Sequence, residues 1–376
     1  MLFRSLGLGE EIAVAGHWFR KYSFTVYSGK SRDFAARSPG FETSTHGRRQ
    51  GFPYRRSVSA KTRTWLFVGG IALLAAGVTV GATVLTRTGT SGASTTAAVP
   101  KGPPELDLDL GLRTDPEAVA LRRGLSLYDK GRRRQAEAIF SRYGSLQAKI
   151  GAAVAEWPNG FDRLAALAAE HPGSSLAQLE LGLSFFQQDR VAQAETAWRK
   201  ARRLQPDTPW AIRAEDLLYP RYFAGHPPFS PSFTAPARLA TLSSPHQFAF
   251  LAARARKPDP HAKLLYGAAL QKIGRAVSAE REFQAAARLA PHDPDAQVAA
   301  AVGRFDKANL SASFSRLGPL ARVFPKAPVV RFHLGLMLLW IGQAQAGKKQ
   351  LEEVVAAGPS PFFADAKLLI EKIPAK

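Results

Sequence analysis

The sequence predicts an all-α fold built from repeated helix pairs, and two stretches with nearly the same pattern carry that prediction. They read Leu181-Gly182-x2-Phe185 with Ala194-x3-Trp198-x2-Ala201 and Pro206, then Tyr266-Gly267-x2-Leu270 with Ala279-x3-Phe283-x2-Ala286 and Pro291. Residues three or four apart share one face of a helix, so each half of the pattern describes one amphipathic helix. Prolines that follow the second half also recur at a spacing of 34, at Pro291, Pro325 and Pro359.

Each position of the pattern has a physical role in a pair of packed helices. Gly182 and Ala194 are small, so the two helices can approach closely, and Trp198 fills the space that they enclose. A proline then ends the second helix. The pattern resembles the tetratricopeptide repeat, a 34-residue helix-turn-helix unit. That resemblance implies a right-handed array of helix pairs, an α-solenoid, that binds partners and performs no chemistry.

Extending the register divides most of residues 117–361 into units. Three contiguous units cover 260–293, 294–327 and 328–361, an upstream unit covers 175–208, and 117–143 forms a first one. Between the last two, Gln147–Trp157 and Phe161–His171 predict a shortened pair that turns at Pro158-Asn159-Gly160. The repeat array is therefore predicted over 117–361.

Two segments of this region depart from the repeat. Residues 209–258 hold too many prolines for continuous helices and predict a degenerate pair with an inserted loop. Helical periodicity remains there at Trp210–Tyr219, Ala237–Leu242 and His246–Ala255. Residues 362–376 place apolar side chains on one face, which suits a helix that covers the end of the stack.

An uncharged run of 21 residues, Trp65–Leu85, precedes the array and predicts one transmembrane helix over 64–86. A buried core helix and a cleaved signal peptide are the alternatives. Basic residues lie close to the run on its N-terminal side, whereas Arg87 alone follows closely on the other. The positive-inside rule therefore places the N-terminus in the cytoplasm and the array outside, at the cell membrane.

The first 63 residues form a predicted unstructured, basic cytoplasmic tail. It holds twelve Lys and Arg against four Asp and Glu, a net charge of +8 out of +21 for the chain. The tail could bind anionic lipid, could only orient the chain, or could be absent if synthesis starts at an internal residue such as Val58. Residues 87–116 are rich in small and polar residues near their start and predict a flexible linker.

Several classes of function lack support in the sequence. The chain has no cysteine, its eight histidines form no metal-type pair, and the phosphate-loop and nucleophile-elbow motifs are missing. Basic residues of the array fall at helix ends, without a groove in which aromatic residues alternate with them. We expect a non-enzymatic chain with no cofactor and no metal, and no nucleic acid as partner.

The resemblance also implies where a partner binds, because the first helix of each unit lines a concave groove in this family. Its second, fifth, ninth, twelfth and thirteenth positions give the partner-binding candidates Phe186, Gln187, Gln271, Lys272, Phe305, Asp306, Phe332 and Trp340. The Lys and Asn set that clamps a C-terminal carboxylate in chaperone-binding relatives is missing. Burial by the next unit or by the inserted loop is the alternative role, and the loop Gly225–Phe233 is a second candidate surface.

The function that follows is a membrane-anchored scaffold for protein–protein interaction at the cell envelope. An accessory or assembly factor of an envelope enzyme complex, for cytochromes, pili or polysaccharide, is the alternative. A protein or peptide partner is expected, and neither its identity nor the oligomeric state follows from the residues.

The flanking charges give a testable topology. A reporter enzyme that is active only outside the cytoplasm, fused after Lys376, should be active, because the basic flank retains the N-terminus in the cytoplasm. Activity of a reporter that works only in the cytoplasm, fused at the same place, would reverse the orientation.

Overall fold

The computed structural model describes residues 102–373, and that part of the chain is all-helical. It holds fifteen α-helices and one short 3₁₀-helix, Ala237–Thr241, and no strand. The α-helices are α1 Pro116–Asp129, α2 Arg133–Phe140, α3 Leu146–Ala155, α4 Phe161–Glu170, α5 Ser175–Gln187, α6 Val191–Leu204, α7 Pro209–Leu218, α8 Ser244–Ala255, α9 Pro260–Lys272, α10 Ala276–Leu289, α11 Pro294–Val302, α12 Leu310–Val323, α13 Pro328–Trp340, α14 Ala344–Ala356 and α15 Phe363–Lys372.

Helices pair in chain order, as the sequence pattern predicts. The pairs α1/α2, α5/α6, α9/α10, α11/α12 and α13/α14 are in contact, and each pair also touches a neighbouring helix. In the last three pairs the first helices begin at Pro260, Pro294 and Pro328, a spacing of 34 residues. Their second helices begin at Ala276, Leu310 and Ala344, again 34 apart. The helical-repeat architecture is therefore present, while the right-handed twist of the array stays a prediction.

The two helices of a pair approach most closely where a glycine faces an aromatic ring. A Cβ placed on Gly182 would lie 2.5 Å from the Trp198 ring, and one on Gly267 would lie 2.4 Å from Phe283. Gly124 and Phe140 repeat the arrangement in α1/α2, also at 2.4 Å. These distances exclude any side chain at the glycines unless the rings move, so the predicted role of the small residues is confirmed.

The first helices of successive pairs form one layer. Contacts run from α1 to α3, from α3 to α5 and from α5 to α7, and then from α9 to α11 and from α11 to α13. Side-chain caps fix where several of these helices begin: Asp115, Ser145, Ser174, Thr208 and Asp259 each accept an N–H of the first turn. We call the surface that α9, α11 and α13 share the groove.

Part of the predicted flexible linker over 87–116 is instead packed. Residues 104–110, here the N-terminal strap, are extended, and Leu106, Leu108 and Leu110 are buried in the core of the first pairs. The strap is held through polar contacts as well: Tyr128 Oη donates to the Pro104 carbonyl at 2.5 Å, and the Asp107 N–H donates to Glu180 Oε1 at 2.8 Å. The alternation of leucine with acidic residues is what places one face of this segment against the helices.

In the irregular region, residues 209–258, α7 continues the layer of first helices. No second helix follows α7 directly to form a pair with it. The chain then runs as an irregular, non-helical segment, residues 219–236, which we call the insertion loop, before the 3₁₀-helix and α8. Helix α8 packs against α9, and α15 packs against α14. Ala366 and Leu369 of α15 are buried, so this helix covers the end of the stack.

Three predicted features lie outside residues 102–373: the basic tail over 1–63, the membrane helix over 64–86 and the start of the linker. Within the described range, none of the helices combines the length and the apolar character that a bilayer crossing requires.

The packing of α5 against α6 can be tested at Trp198. This side chain is 4% exposed and fills the space opposite Gly182, so Trp198→Ala should lower the free energy of unfolding by ~3–5 kcal/mol through lost burial and a cavity. Urea unfolding followed by circular dichroism measures the change. Arg203→Ala on the exposed face of α6 is the matched control and should change stability by less than ~0.5 kcal/mol. Equal loss in both variants would contradict the assigned packing.

Candidate functional site

The insertion loop occupies the groove formed by α9, α11 and α13. Three of its backbone N–H groups donate to side chains of three different helices. Phe229 N–H donates to Gln271 Oε1 at 2.9 Å, Ser230 N–H to His333 Nε2 at 3.0 Å, and Ser232 N–H to Asp295 Oδ1 at 2.6 Å. Pro231 lies between them and has no N–H to donate. The groove thus satisfies the backbone of an extended segment that cannot satisfy itself.

Aromatic rings hold the side chains of the same segment. Phe229 is 1% exposed, and its ring meets the Phe283 ring edge-on at 5.3 Å and stacks on His333 at 5.2 Å. The Phe233 ring stacks on the ring of His261 in α9, with 4.1 Å between the two centroids. Two aromatic side chains four residues apart are therefore accommodated along the groove.

The N-terminal part of the insertion loop is held by hydrogen bonds from Trp340, at the end of α13, and from Lys307, which pairs with Asp216 of α7. Phe223 N–H donates to the Trp340 carbonyl at 3.0 Å, and Trp340 Nε1 donates to the Gly225 carbonyl at 3.1 Å. Lys307, whose side chain is 0% exposed, forms an ion pair with Asp216 of α7 and donates to the Phe223 carbonyl at 2.7 Å. A buried lysine is tolerable here because the carboxylate and the carbonyl both face its ammonium group.

An ionic cluster lies beside this anchor, where α6 and α7 meet the turn after α11. Glu215 Oε2 contacts His226 Nε2 at 2.6 Å, and Arg202 reaches Glu215 at 3.1 Å and Asp306 at 2.7 Å. Burial alone would raise the pKa of Glu215. The His226 hydrogen bond and the positive charges of His226, Arg202 and Lys307 outweigh it and lower the pKa to about 2. The carboxylate is therefore ionised at neutral pH.

Three of the eight predicted partner-binding residues face the insertion loop. Gln271 accepts from Phe229, Phe305 is 4% exposed and lies 5.6 Å from the His226 ring, and Trp340 is 9% exposed beneath Phe223 and Gly225. Their role in binding a partner stays a prediction. The aromatic side chains of Phe305 and Trp340 are covered by the insertion loop. For these two residues the structure therefore agrees with the alternative role, burial by that loop.

Phe332, Phe186 and Gln187 do not join this set. The Phe332 ring stacks at 4.6 Å on Phe362, at the start of the capping segment, and is 4% exposed. Phe186 packs against Trp198 at 5.8 Å, inside its own helix pair. Gln187 follows it at the end of α5, and the structure brings neither residue near α9, α11 or α13. Phe332 and Phe186 therefore pack against aromatic rings of the same chain, and the partner-binding role of all three residues stays a prediction.

The two predicted polar residues at the edge of the groove have different environments. Asp306 accepts from Arg202 and from the Ala308 N–H at 2.8 Å, so it links α6 to the turn after α11. Lys272 ends α9, and burial lowers its pKa to about 8. With that pKa, Lys272 is still mostly protonated at neutral pH, so it keeps the positive charge that the sequence predicts at the groove's edge.

His333 is the contact that sequence reasoning missed. It falls at the sixth position of α13, outside the groove positions that the repeat resemblance gives, yet it is 1% exposed beneath Ser230. Its Nδ1 lies 2.8 Å from the Val329 carbonyl and therefore carries the proton, which leaves Nε2 as the acceptor for the Ser230 N–H. Burial lowers the pKa of His333 to about 4, which keeps the ring neutral and this arrangement intact at neutral pH.

Asp295 and His261 belong to the groove positions that the resemblance implies, but their use could not be read from residue type. Burial raises the pKa of Asp295, against the hydrogen bonds from Ser232. Lys307 and Asp216 were also missed, and their pairing across 91 residues leaves no local pattern in the sequence. Among residues 102–373, no His, Cys, Asp and Glu group is arranged to hold a metal ion.

Comparison with known proteins adds little to this geometry. No family model matches the chain, and no curated protein matches it. Among solved structures it is similar to the crystal structure of the yeast Tom70, with a TM-score of 0.28 and 14% sequence identity. That match covers 73% of this chain and 66% of the yeast chain. A likeness at this level assigns neither a partner nor a function.

The tautomer of His333 predicts a pH dependence. An unfolded histidine takes up a proton near pH 6.5, whereas the folded ring does so only near 4, so the unfolded state binds more protons between these values. The contribution of His333 to stability is complete above pH 6.5 and is lost as the pH falls to 4, by up to about 3 kcal/mol. The contribution of Asp295 to stability has the opposite pH dependence: because its pKa is raised, that contribution decreases as the pH rises.

The measurement is therefore a difference between variants. His333→Gln, whose amide oxygen can still accept from Ser230, should show a smaller loss of unfolding free energy between pH 6.5 and 4 than the native chain. His292→Gln, at an exposed histidine, is the matched control and should follow the native curve. Parallel curves for all three proteins would contradict the assigned role of His333.

Proposed function

We propose that this chain is a membrane-anchored, non-enzymatic scaffold whose helical array binds a protein partner at the cell envelope. The observation that carries the proposal is the groove itself, in which side chains of α9, α11 and α13 accept three backbone N–H groups of one extended segment. Contacts to main-chain donors do not depend on the residue type that supplies them, so such a surface suits peptide recognition.

The membrane part of the proposal rests on the sequence. The uncharged run Trp65–Leu85 is long enough to span a bilayer, and the basic residues before it favour a cytoplasmic N-terminus. The array would then project into the extracytoplasmic space. The N-terminal strap starts at Pro104, so 17 residues, 87–103, separate the membrane helix predicted over 64–86 from the packed array.

The non-enzymatic part rests on residue chemistry. Gln271, Asp295 and His333 converge on backbone donors rather than on a nucleophile or a reacting carbonyl. The neutral, fully buried His333 also has both ring nitrogens engaged, which leaves none for proton transfer.

An assembly factor for an envelope enzyme complex remains the second candidate, since a tethered peptide-binding array can hold an incomplete subunit as well as a finished one. The two differ in outcome. Removal of an assembly factor lowers the amount of a finished complex, whereas removal of a scaffold leaves the complex formed and unattached.

The scaffold proposal is tested by recovering partners from intact membranes. The full chain, tagged after Lys376 and treated with a short cross-linker in cells, should enrich one or a few envelope proteins reproducibly. Ala279→Trp is the negative variant, because Ala279 is 0% exposed between α9 and α10 and a large side chain there should overpack the pair by ~1–3 kcal/mol or more.

Val277→Thr, a surface change on the same helix, is the matched control and should recover the partners at the native level. Enrichment that is the same for the overpacked and the native chain would show that the folded array is not the binding element. No enrichment from any form would overturn the scaffold proposal.

A further inference from the structure

The insertion loop is held in its groove as a bound peptide would be held. Across residues 224–235 no backbone N–H bonds to another backbone group, and the described hydrogen bonds of its N–H groups all go to side chains. Pro227, Pro228 and Pro231 prevent this stretch from forming a helix of its own. What orders the segment is therefore the surface of α9, α11 and α13, together with Asp216 and Glu215 of α7 at its N-terminal end.

The groove contacts its occupant in two ways, through the backbone N–H groups and through the aromatic side chains. It supplies acceptors for the N–H groups of the positions filled by Phe229, Ser230 and Ser232, and none is needed at Pro231. Ring surfaces for two aromatic side chains are present as well: His333 of the groove and Phe283 of α10 contact the first, and His261 of the groove contacts the second. The matching sequence chemistry is aromatic-x-Pro-x-aromatic in an extended conformation.

Nothing in these contacts requires the occupant to belong to the same chain. A separate peptide of the same chemistry could make each hydrogen bond and each ring contact, and a proline-containing segment loses little conformational freedom on docking. The advantage of the loop over a separate peptide is its covalent connection, which gives it a high effective concentration at the groove, in the millimolar range for short flexible connections.

We propose that this groove is a peptide-binding site occupied in cis by residues 226–233, and that its partner presents an extended, proline-containing segment with two aromatic residues four apart. The partner segment replaces the loop in the groove. The inference rests on the proposed function, since it names the chemistry of the segment that the scaffold binds.

The first experiment uses a fluorescein-labelled peptide of residues 224–235 and the full chain in detergent micelles. A variant with residues 226–233 replaced by eight Gly and Ser residues should bind the peptide saturably in fluorescence anisotropy. The native chain should bind it at least about tenfold more weakly, because its own loop competes.

Peptide variants test the chemistry. Phe229→Ala in the peptide should weaken binding at least about tenfold, since that ring is the buried one. Thr234→Ala, at an exposed position, is the matched control and should bind as the parent peptide does. A folded loop-replaced chain that binds the peptide no better than the native chain does would overturn the proposal.

A second measurement keeps the loop intact, in case its replacement prevents folding. The chain has no cysteine, so Ser230→Cys introduces a single thiol within the loop. Excess unlabelled peptide should raise the rate of maleimide labelling at this thiol severalfold. Lys257→Cys, at an exposed site, is the matched control and should label at an unchanged rate. An unchanged rate at residue 230 at peptide concentrations up to the millimolar range would contradict displacement.

The outcome separates this inference from the proposed function. If the full chain still enriches a partner from membranes while the peptide fails to bind, the scaffold function stands and the groove is only filled by its loop. If the peptide binds and displaces the loop while no partner is enriched, the inference stands and the scaffold proposal falls.

Discussion

The close approach of two helices at a glycine that faces an aromatic ring is the constraint on which the rest of the structure depends. Gly124, Gly182 and Gly267 each leave room for a ring of the second helix, and in each case a Cβ would overlap that ring. The first helices also contact one another, from α1 through α3 and α5 to α7 and from α9 through α11 to α13. The groove exists because this arrangement repeats.

A groove lined by first helices exposes apolar surface unless something covers it, and this chain covers it twice with extended segments. The N-terminal strap fills the first pairs with Leu106, Leu108 and Leu110, and the insertion loop fills the later ones with Phe229. Extended backbone brings unpaired N–H groups into the interior, so acceptors must accompany it. Glu180 serves the strap, and burial raises its pKa well above the ordinary value, while Gln271, His333 and Asp295 serve the loop.

The sequence predicts the helical array well because its signals are local. The spacing of Pro291, Pro325 and Pro359 and the glycine–aromatic pairs lie within one unit, and the structure has helices at the positions they indicate. The groove contents are not local: Phe229 meets Gln271 across 42 residues, and Ser230 meets His333 across 103. The strap was predictable in part, since the period-two alternation of Leu106, Leu108 and Leu110 indicates a half-buried extended segment. Composition alone favours a linker there and hides that signal.

The two ends of the insertion loop differ in how firmly they are held, and the difference decides which part can leave the groove. At the first end, Lys307 and Asp216 form an ion pair whose lysine side chain is fully buried, and Asp216 also accepts the Gly225 N–H at 2.9 Å. Breaking such a buried ion pair by removing one partner lowers stability by about 3–5 kcal/mol. Beyond Gly225, the Phe229 and Ser230 N–H groups donate to neutral acceptors, each worth about 1 kcal/mol net. Gly225 itself has a φ of +73°, a backbone conformation in which glycine is favoured. Charged contacts therefore hold the chain through His226, whose ring meets the Glu215 carboxylate at 2.6 Å, whereas from Phe229 onward the backbone N–H groups make contacts that a competing segment can also supply.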